Sequence, residues 1–323
     1  MAVEVVICTL VEVLIAVGCC LGNVLVILAV WTSKSIQQPT FCLVVSLAVA
    51  DFMVGCVSIP LAVVIDGHMK TSYYGCLFVS CVTILFTLVS ALSLATIAVD
   101  RFLRVYVPLR YKRTVTQRRC WLVVTVCWLV AIPPSFAPML GWCNHETWSK
   151  SVNSTVVCRF IDVIPMSYLV YFRFFLGYLI PLLVMTVLYG YIFWTIRGKL
   201  QEKPGNGAQT RSQIHLKKEK QMARYMLLVL ALFALSWLPL HIMNCMLHFG
   251  GPDSIPVKAF HVGILFSHAN SAVNPFVYAF KIQNIKITYL KLWRRYIARG
   301  EELQGCQRPQ SIKNNLNRVA NDE

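Results

Sequence analysis

The sequence predicts an all-α membrane protein built as a bundle of seven helices. Its 323 residues are 57% hydrophobic and only 14% charged, whereas about 25% of the residues in an ordinary soluble domain are charged. A membrane-spanning helix needs about 20 mostly apolar residues, and seven stretches meet this condition. They are called helices one to seven and lie at about residues 5–31, 41–65, 76–105, 120–142, 166–196, 222–249 and 257–280.

The two ends of the chain also have predicted structures. The first stretch is interpreted as a retained helix, because it has no basic segment before it and no clean small-residue cleavage site. Residues 281–298 alternate basic and apolar positions at roughly helical spacing, which predicts a short amphipathic helix on the membrane surface. Residues 1–300 are therefore expected to form one membrane domain, and the polar residues 301–323 a disordered tail.

Basic residues are distributed unevenly between the predicted helices. The odd-numbered connections and the tail hold nearly all of the 30 Lys and Arg residues, and such an excess marks cytoplasmic segments. The N-terminus is therefore predicted to lie outside the cell and the tail in the cytoplasm. The basic residues that give the net charge of +16 would then face anionic lipid and an intracellular partner. A nucleic-acid ligand is therefore not expected.

Three cysteines lie near the predicted outer face, where the environment is oxidising. Cys76 opens helix three and Cys158 lies in the long connection before helix five. We expect these two to form a disulfide, which leaves Cys143 without an obvious partner. On the same side, Asn153 begins an Asn-Ser-Thr glycosylation sequon. In the predicted cytoplasmic tail, Cys306 is a candidate palmitoylation site.

Polar side chains inside the predicted spans are costly, so they usually mark functional positions. Trp237, His241 and Asn244 follow one another at i, i+4 and i+7 on helix six, so they share one face that can line a cavity. The carboxylate of Asp51 in helix two needs a cation or a proton to balance it. Its candidate neighbours for a small hard cation such as sodium are the oxygen-bearing residues Ser90, Asn270 and Asn274.

Short motifs occur in order along the whole chain, and their types and spacing resemble those of rhodopsin-like G-protein-coupled receptors. The motif residues are Gly22-Asn23-Val24, Leu47-Ala48-Val49-Ala50-Asp51, Asp100-Arg101-Phe102, Trp128, Pro181, Tyr189, Phe233-Ala234-Leu235-Ser236-Trp237-Leu238-Pro239 and Asn274-Pro275-Phe276-Val277-Tyr278.

This resemblance implies a switch at the inner ends of helices three and six. Arg101, beside Asp100, would pair at rest with Glu219, and activation would separate the two helices to admit a heterotrimeric G protein. Tyr189 and Tyr278 are assigned to the same switch. Arrestin and a receptor kinase are further candidate partners.

Helices six and seven carry a narrower resemblance. Residues 236–245 and 263–271 are similar to helices six and seven of adenosine receptors. The tripeptide at 158–160 matches the Cys-x-Phe of their long outer loop, and Glu12 stands where that family places a partner for a histidine in helix seven. Ile161 is closer to the third, inhibitory subtype, whereas His241 is more like the other subtypes.

The narrower resemblance implies a pocket for a purine nucleoside such as adenosine. Phe160 would stack on the base, and the Asn244 amide would match one donor and one acceptor of the adenine edge. Hydroxyl and imidazole groups would lie at the depth of the ribose. The expected pocket residues are Glu12, Thr87, Phe160, Trp237, Leu240, His241, Asn244, Ile264, Ser267 and His268.

Some positions narrow the choice of ligand, whereas two leave it open: Thr83, which replaces an aliphatic residue of the adenosine receptors, and Arg173. Thr83 stands where receptors for biogenic amines carry an Asp, and His268 stands where opsins carry a Lys, so neither an amine nor retinal is expected. Arg173, in the outer half of helix five, replaces a small polar residue. Its guanidinium is expected either to reach the lipid headgroups or to turn into the cavity, where it would need an anion.

The leading interpretation is a plasma-membrane adenosine-type receptor that lowers cAMP through an inhibitory G protein. The alternative is a relative tuned to another nucleoside or nucleotide. A transporter predicts internal repeats, and an enzyme predicts a nucleophile–base pair or a metal cluster; neither pattern is seen. No cofactor is expected, apart from the candidate allosteric sodium ion.

Overall fold

Long helices dominate the structure, a computed structural model that describes residues 2–32, 39, 41–65, 70–144, 156–201 and 207–281. Helix one spans Ala2–Thr32, helix three Tyr73–Tyr106, helix four Gln117–Phe136, helix six Gly207–Gly250 and helix seven Val257–Lys281. Helix two consists of α-helical Phe41–Met53, a π-helical turn at Val54–Ser58 and α-helical Ile59–Ile65. Helix five is π-helical over Tyr168–Leu179 and α-helical over Ile180–Gln201.

Short elements connect these helices. Strands β1 (Lys70–Thr71) and β2 (Val156–Val157) pair antiparallel. The other elements of the described residues are the helices Pro108–Thr114 and Phe160–Val163 and the 3-10 turns Ala137–Leu140 and Pro252–Ser254.

Two helix ends differ most from the sequence prediction. Helix six begins at Gly207, well before the apolar stretch, because polar residues such as Gln, Lys and Glu favour helix as strongly as many apolar ones. The α-helical part of helix four ends at Phe136. Pro133 and Pro134 there remove backbone donors, and a 3-10 turn follows. Hydrophobicity therefore located the spans but not the ends of the helices.

The predicted all-helical membrane fold is confirmed in its main features. Within the described residues, six helices are long and apolar enough to cross a membrane, and helix seven is not among these six. Large apolar side chains lie on the outside of the bundle, where Leu14, Val187 and Trp194 are 70%, 69% and 72% exposed. Apolar side chains on the outer surface of a bundle suit contact with hydrocarbon, where helices satisfy their own backbone hydrogen bonds.

Buried polar contacts set the rotation of neighbouring helices. The Asn23 amide of helix one donates to the backbone oxygens of Cys19, at 2.9 Å, and of Ser271 in helix seven, at 3.1 Å. The Trp128 indole of helix four donates to the Ser46 hydroxyl of helix two at 3.1 Å. Such interhelical bonds join helices whose apolar faces alone would permit several rotations.

Gly55 permits helices one and two to approach closely. A Cβ atom at this position would lie 2.5 Å from the Cβ of Cys19 and 3.0 Å from the backbone oxygen of Ala16. Only glycine therefore fits this contact without a shift of the two helices.

We expect Gly55→Ala to destabilise the bundle by about 1–3 kcal/mol, because the added methyl group overpacks the interface. The measurement is the thermal unfolding of the detergent-solubilised protein. Gly190→Ala is the matched control, since a Cβ there meets nothing within 4 Å and alanine favours helix. Equal melting temperatures for the two variants would contradict the close contact.

Candidate ligand-binding site

The expected disulfide joins Cys76 of helix three to Cys158, with 5.6 Å between their Cα atoms. Next to it, β1 pairs with β2 so that Lys70 faces Val157. These two links hold the connection before helix five against the end of helix three, and the turn Phe160–Val163 follows at once. This end of the bundle is called the disulfide end.

A cavity of about 830 Å³ opens at the disulfide end, a volume within the usual range for small-molecule sites. Its wall includes all ten residues that the sequence predicted for the pocket, from helices one, three, six and seven and from the turn after Cys158. They are Glu12, Thr87, Phe160, Trp237, Leu240, His241, Asn244, Ile264, Ser267 and His268.

Two buried side chains of helix six bring unpaired polar atoms to this cavity. Asn244 is 4% exposed and His241 is 2% exposed. Neither the Asn244 Oδ1 atom nor the His241 Nδ1 atom has a hydrogen-bond partner among the described residues. A buried polar atom without a partner is costly, so a ligand that bonds to Asn244 gains both the bond and the removal of this cost.

The residues expected near the ribose are partly occupied by protein contacts. His268 Nδ1 lies 3.7 Å from Glu12 Oε1, which is close enough for an ion pair but not for a hydrogen bond, and this nitrogen has no hydrogen-bond partner among the described residues. The Ser267 hydroxyl donates to the Ile264 backbone oxygen at 2.7 Å, and the Thr87 hydroxyl to that of Ile84 at 2.9 Å. The Ser267 hydroxyl therefore offers a ligand mainly its oxygen as an acceptor, whereas the Thr87 oxygen already accepts one bond from a neighbouring side chain.

Arg173 turns into the cavity, which decides between the two expectations for its guanidinium. Its Nη2 atom donates to the Thr87 hydroxyl oxygen at 2.7 Å, and its Cζ atom lies 5.1 Å from the centre of the Trp237 ring. The expectation that this side chain reaches the headgroups is therefore wrong. The sequence left both directions open because it does not give the rotation of helix five.

A second polar cluster surrounds Asp51, which is fully buried. Its Oδ1 atom accepts hydrogen bonds from the hydroxyls of Ser90, at 2.9 Å, and Ser271, at 2.8 Å, and Oδ2 accepts from the Asn274 amide at 2.8 Å. Asn270, a predicted neighbour, makes no hydrogen bond to Asp51 within the described part of the chain. Ser271 takes this place; Ser271 and Asn270 both lie within one turn of Asn274, so the packing of helix seven against helix two decides which of them meets Asp51.

The Asp51 cluster fits the chemistry of a small hard cation. Such ions prefer oxygen ligands, including carboxylates and hydroxyls. The hydroxyl oxygens of Ser90 and Ser271 both lie within 2.9 Å of Asp51 Oδ1. An ion there would be bound by Asp51 and these hydroxyls, so sodium remains a prediction with Ser271 added to the candidate ligands.

The opposite end of the bundle, called the Arg101 end, brings together the predicted switch residues. Arg101 lies 3.6 Å from Asp100 and 3.9 Å from Glu219 of helix six. Tyr189 of helix five is buried nearby in the main apolar core. Tyr278 lies in helix seven, and its side chain is outside the described residues. The geometry matches the expected pair, whose role stays a prediction.

Two residues at the Arg101 end were not predicted. Arg104 lies 3.4 Å from Asp100 and 3.9 Å from Glu219, so it shares both carboxylates with Arg101. Tyr111, in the helix after helix three, donates to Asp100 at 2.6 Å and accepts from Arg104 at 2.9 Å. Burial and the bond to the Asp100 carboxylate raise the pKa of Tyr111, so this phenol stays protonated. The i, i+4 spacing of Asp100 and Arg104 is the signal that sequence reasoning could have used.

We expect Glu219→Gln to raise agonist-independent signalling. The substitution removes the charge that Arg101 and Arg104 face on helix six while keeping the side-chain size. Removing one partner of a buried ion pair costs about 3–5 kcal/mol, and a loss of only about 1 kcal/mol already changes the ratio of two states about fivefold. The measurement is nucleotide exchange on the G protein without agonist, and Asp253→Asn, an exposed carboxylate at the other end, is the control. Unchanged basal exchange would contradict a restraining role for this pair.

Several sequence predictions fall outside the described residues. They are the glycosylation site Asn153, the palmitoylation site Cys306, residues 282–298 of the amphipathic helix and the tail 301–323.

Known proteins resemble this chain over most of its length. Residues 22–278 match the family described as the 7 transmembrane receptor (rhodopsin family), which places the chain in a class of multi-pass membrane receptors. It is also similar to adenosine A3 receptors. The identity is 47% over 281 residues with the protein of Ovis aries, where the match covers 87% of each chain.

Two further relatives carry the same name. The adenosine A3 receptor of Canis lupus familiaris is 45% identical over 288 residues, which cover 89% of this chain and 90% of the relative. That of Bos taurus is 46% identical over 281 residues, 87% of each chain. The chain therefore belongs to the rhodopsin family of seven-transmembrane receptors and, within it, to the adenosine receptor family.

Proposed function

We propose that this receptor binds adenosine, or a closely related purine nucleoside, in the cavity at the disulfide end. The observation that carries the proposal is the buried Asn244 Oδ1 atom, which lacks a partner among the described residues and lies in the cavity wall. An exocyclic amino group of a purine would supply the missing donor. Phe160, in the same wall, offers an aromatic face to the base.

Helix six gives this binding site a mechanical connection to the Arg101 end. Asn244 and Glu219 lie on one continuous helix, Gly207–Gly250, about 37 Å apart along its axis at the usual rise per residue. Pro239 lies between them inside the helix, and a proline is a common origin of helix bending. A small tilt of helix six at the ligand therefore becomes a larger displacement of Glu219.

The proposed output is activation of a heterotrimeric G protein of the inhibitory class, which lowers cAMP. Two Arg residues meet the carboxylates of Asp100 and Glu219 at the Arg101 end. Separation of Glu219 from these Arg residues would open a cleft for the G protein. Arrestin and a receptor kinase would use the same face once it opens.

The membrane arrangement belongs to the same proposal. The receptor lies in the plasma membrane with helix seven as a seventh span, the disulfide end outside and the Arg101 end in the cytoplasm. Residues 1–300 form the receptor domain, with the amphipathic helix at 281–298 on the inner leaflet and 301–323 as a disordered cytoplasmic tail. Asn153 would carry glycan outside, and Cys306 would carry palmitate inside.

The test is a measurement of cAMP in cells that express the receptor and whose cyclase has been stimulated. Adenosine is expected to lower cAMP, and a toxin that blocks inhibitory G proteins is expected to remove the effect. Untransfected cells and cells with the Asn244→Ala receptor are the controls. A receptor that reaches the cell surface but gives no cAMP response to any nucleoside of a panel would contradict the proposal.

A further inference from the structure

Arg173 gives the cavity an unusual electrostatic character. Its guanidinium lies inside the bundle, bonded to Thr87 of helix three and stacked over Trp237 of helix six. No carboxylate of a described residue forms an ion pair with it. The only acidic side chain in the cavity wall within the described chain is Glu12, which lies beside His268.

The positive charge of this cavity therefore exceeds its negative charge. Arg159 contributes a second guanidinium to the same wall, where it is exposed. A cation removed from water without a counterion is costly, and a bound anion offsets this cost. The chemistry of the wall thus favours a ligand that brings negative charge to the depth of Arg173.

The guanidinium has the donors that such an anion needs. Arginine carries five N–H groups, and Arg173 uses one bond to Thr87. Its remaining N–H groups make no hydrogen bond to a described residue. A planar pair of N–H groups binds phosphate or carboxylate oxygens in a bidentate manner, in bonds about twice as strong as those between neutral groups.

Arg173 lies at the depth in the cavity that the ribose of a nucleoside bound at Asn244 would reach. Trp237, which Arg173 covers, lies seven residues before Asn244 on helix six, or about 10 Å along the helix axis. A purine base whose edge meets Asn244 would extend its ribose along this distance toward Thr87. A group on the ribose 5′ oxygen would then arrive beside the guanidinium.

We propose that the cavity accepts a purine nucleoside monophosphate, with its 5′-phosphate bound to Arg173 and its base at Asn244 and Phe160. This inference rests on the proposed nucleoside site and specifies its ligand further. The phosphate would displace Thr87 from Arg173 or share the guanidinium with it. An uncharged nucleoside leaves this charge unpaired and binds less tightly.

The test is competition binding on membranes that contain the full-length receptor. The probes are adenosine and the methylenephosphonate analogue of adenosine 5′-monophosphate, which phosphatases cannot convert to adenosine; adenosine deaminase is added in the phosphonate arm. The parent receptor is expected to bind the phosphonate at least as tightly as adenosine. Arg173→Ser is expected to weaken phosphonate binding about 10- to 100-fold, the size of a lost charge-assisted bond, and to leave adenosine binding equal or stronger.

Two further variants separate local from long-range effects. Arg173→Lys keeps the charge but loses the bidentate geometry, so its phosphonate affinity is expected to lie between those of the parent and the serine variant. Arg159→Ser removes an equal charge at an exposed position. Its reduction of phosphonate affinity is expected to be smaller than that of Arg173→Ser and to vanish at high salt.

The contradicting outcomes are distinct. If the parent binds adenosine but not the phosphonate, the phosphate site is wrong and the nucleoside site stands. If Arg173→Ser weakens the binding of both probes equally, Arg173 is a structural tie between helices. If Arg159→Ser weakens phosphonate binding at high salt as much as Arg173→Ser does, Arg173 acts only as a remote charge. If neither probe binds the parent, the nucleoside site itself is wrong. The parent measurements decide the first and third cases even if a variant does not fold.

Discussion

Asn244→Ala is expected to lower adenosine affinity by on the order of tenfold to several hundredfold. The side chain lies in the cavity wall and its Oδ1 atom lacks a partner among the described residues. Alanine removes both the acceptor and the donor that would meet the adenine edge, and it leaves the corresponding ligand groups buried without partners. The loss therefore exceeds that of two exposed hydrogen bonds.

The measurement is nucleoside binding at equilibrium, accompanied by the melting temperature of the ligand-free receptor. Ile242→Ala is the matched control, because it truncates a side chain of the same helix that is 48% exposed on the outside of the bundle. The ligand-free Asn244→Ala receptor should be no less stable than the parent, since the substitution removes a buried unpaired atom. Undiminished binding by a normally folded Asn244→Ala receptor would refute the assigned pocket.

Asp51→Asn is expected to abolish the effect of sodium on agonist affinity. In the parent, sodium bound at Asp51 in the resting state should lower agonist affinity, because a ligand of one state shifts the population toward that state. Coupling of this kind typically changes affinity about 5- to 150-fold. Asparagine keeps the shape and the acceptor for Ser90 and Ser271 but removes the charge that holds the ion.

The measurement compares agonist affinity in sodium chloride with that in a salt of a large organic cation at equal ionic strength. Ser46→Ala is the control, since it alters another buried polar contact of helix two, to Ser93 and Trp128. This control should keep its response to sodium. An Asp51→Asn receptor whose agonist affinity still falls with sodium as in the parent would show that the ion binds elsewhere.

The sequence by itself determined the class of protein, and it predicted ten pocket residues that lie in the wall of one cavity. Apolar length located the membrane helices, because a hydrocarbon layer of fixed thickness imposes a minimum run of apolar residues. Helical spacing placed Trp237, His241 and Asn244 on one face, which is a local property of the chain. The Cys76–Cys158 disulfide was also predictable, because only a few cysteines lie near the outer face.

Only the tertiary structure decided where long side chains point and which polar atoms meet. Arg173 enters the cavity rather than reaching toward the headgroups, and this depends on the rotation of helix five against helices three and six. Ser271 meets Asp51 where Asn270 was expected, since neighbouring residues on a helix point about 100° apart and the packed neighbour selects between them. Arg104 and Tyr111 join the Arg101 end through contacts between segments. Sequence periodicity gives the face of each helix, whereas the angle between faces is set by packing and by hydrogen bonds between helices.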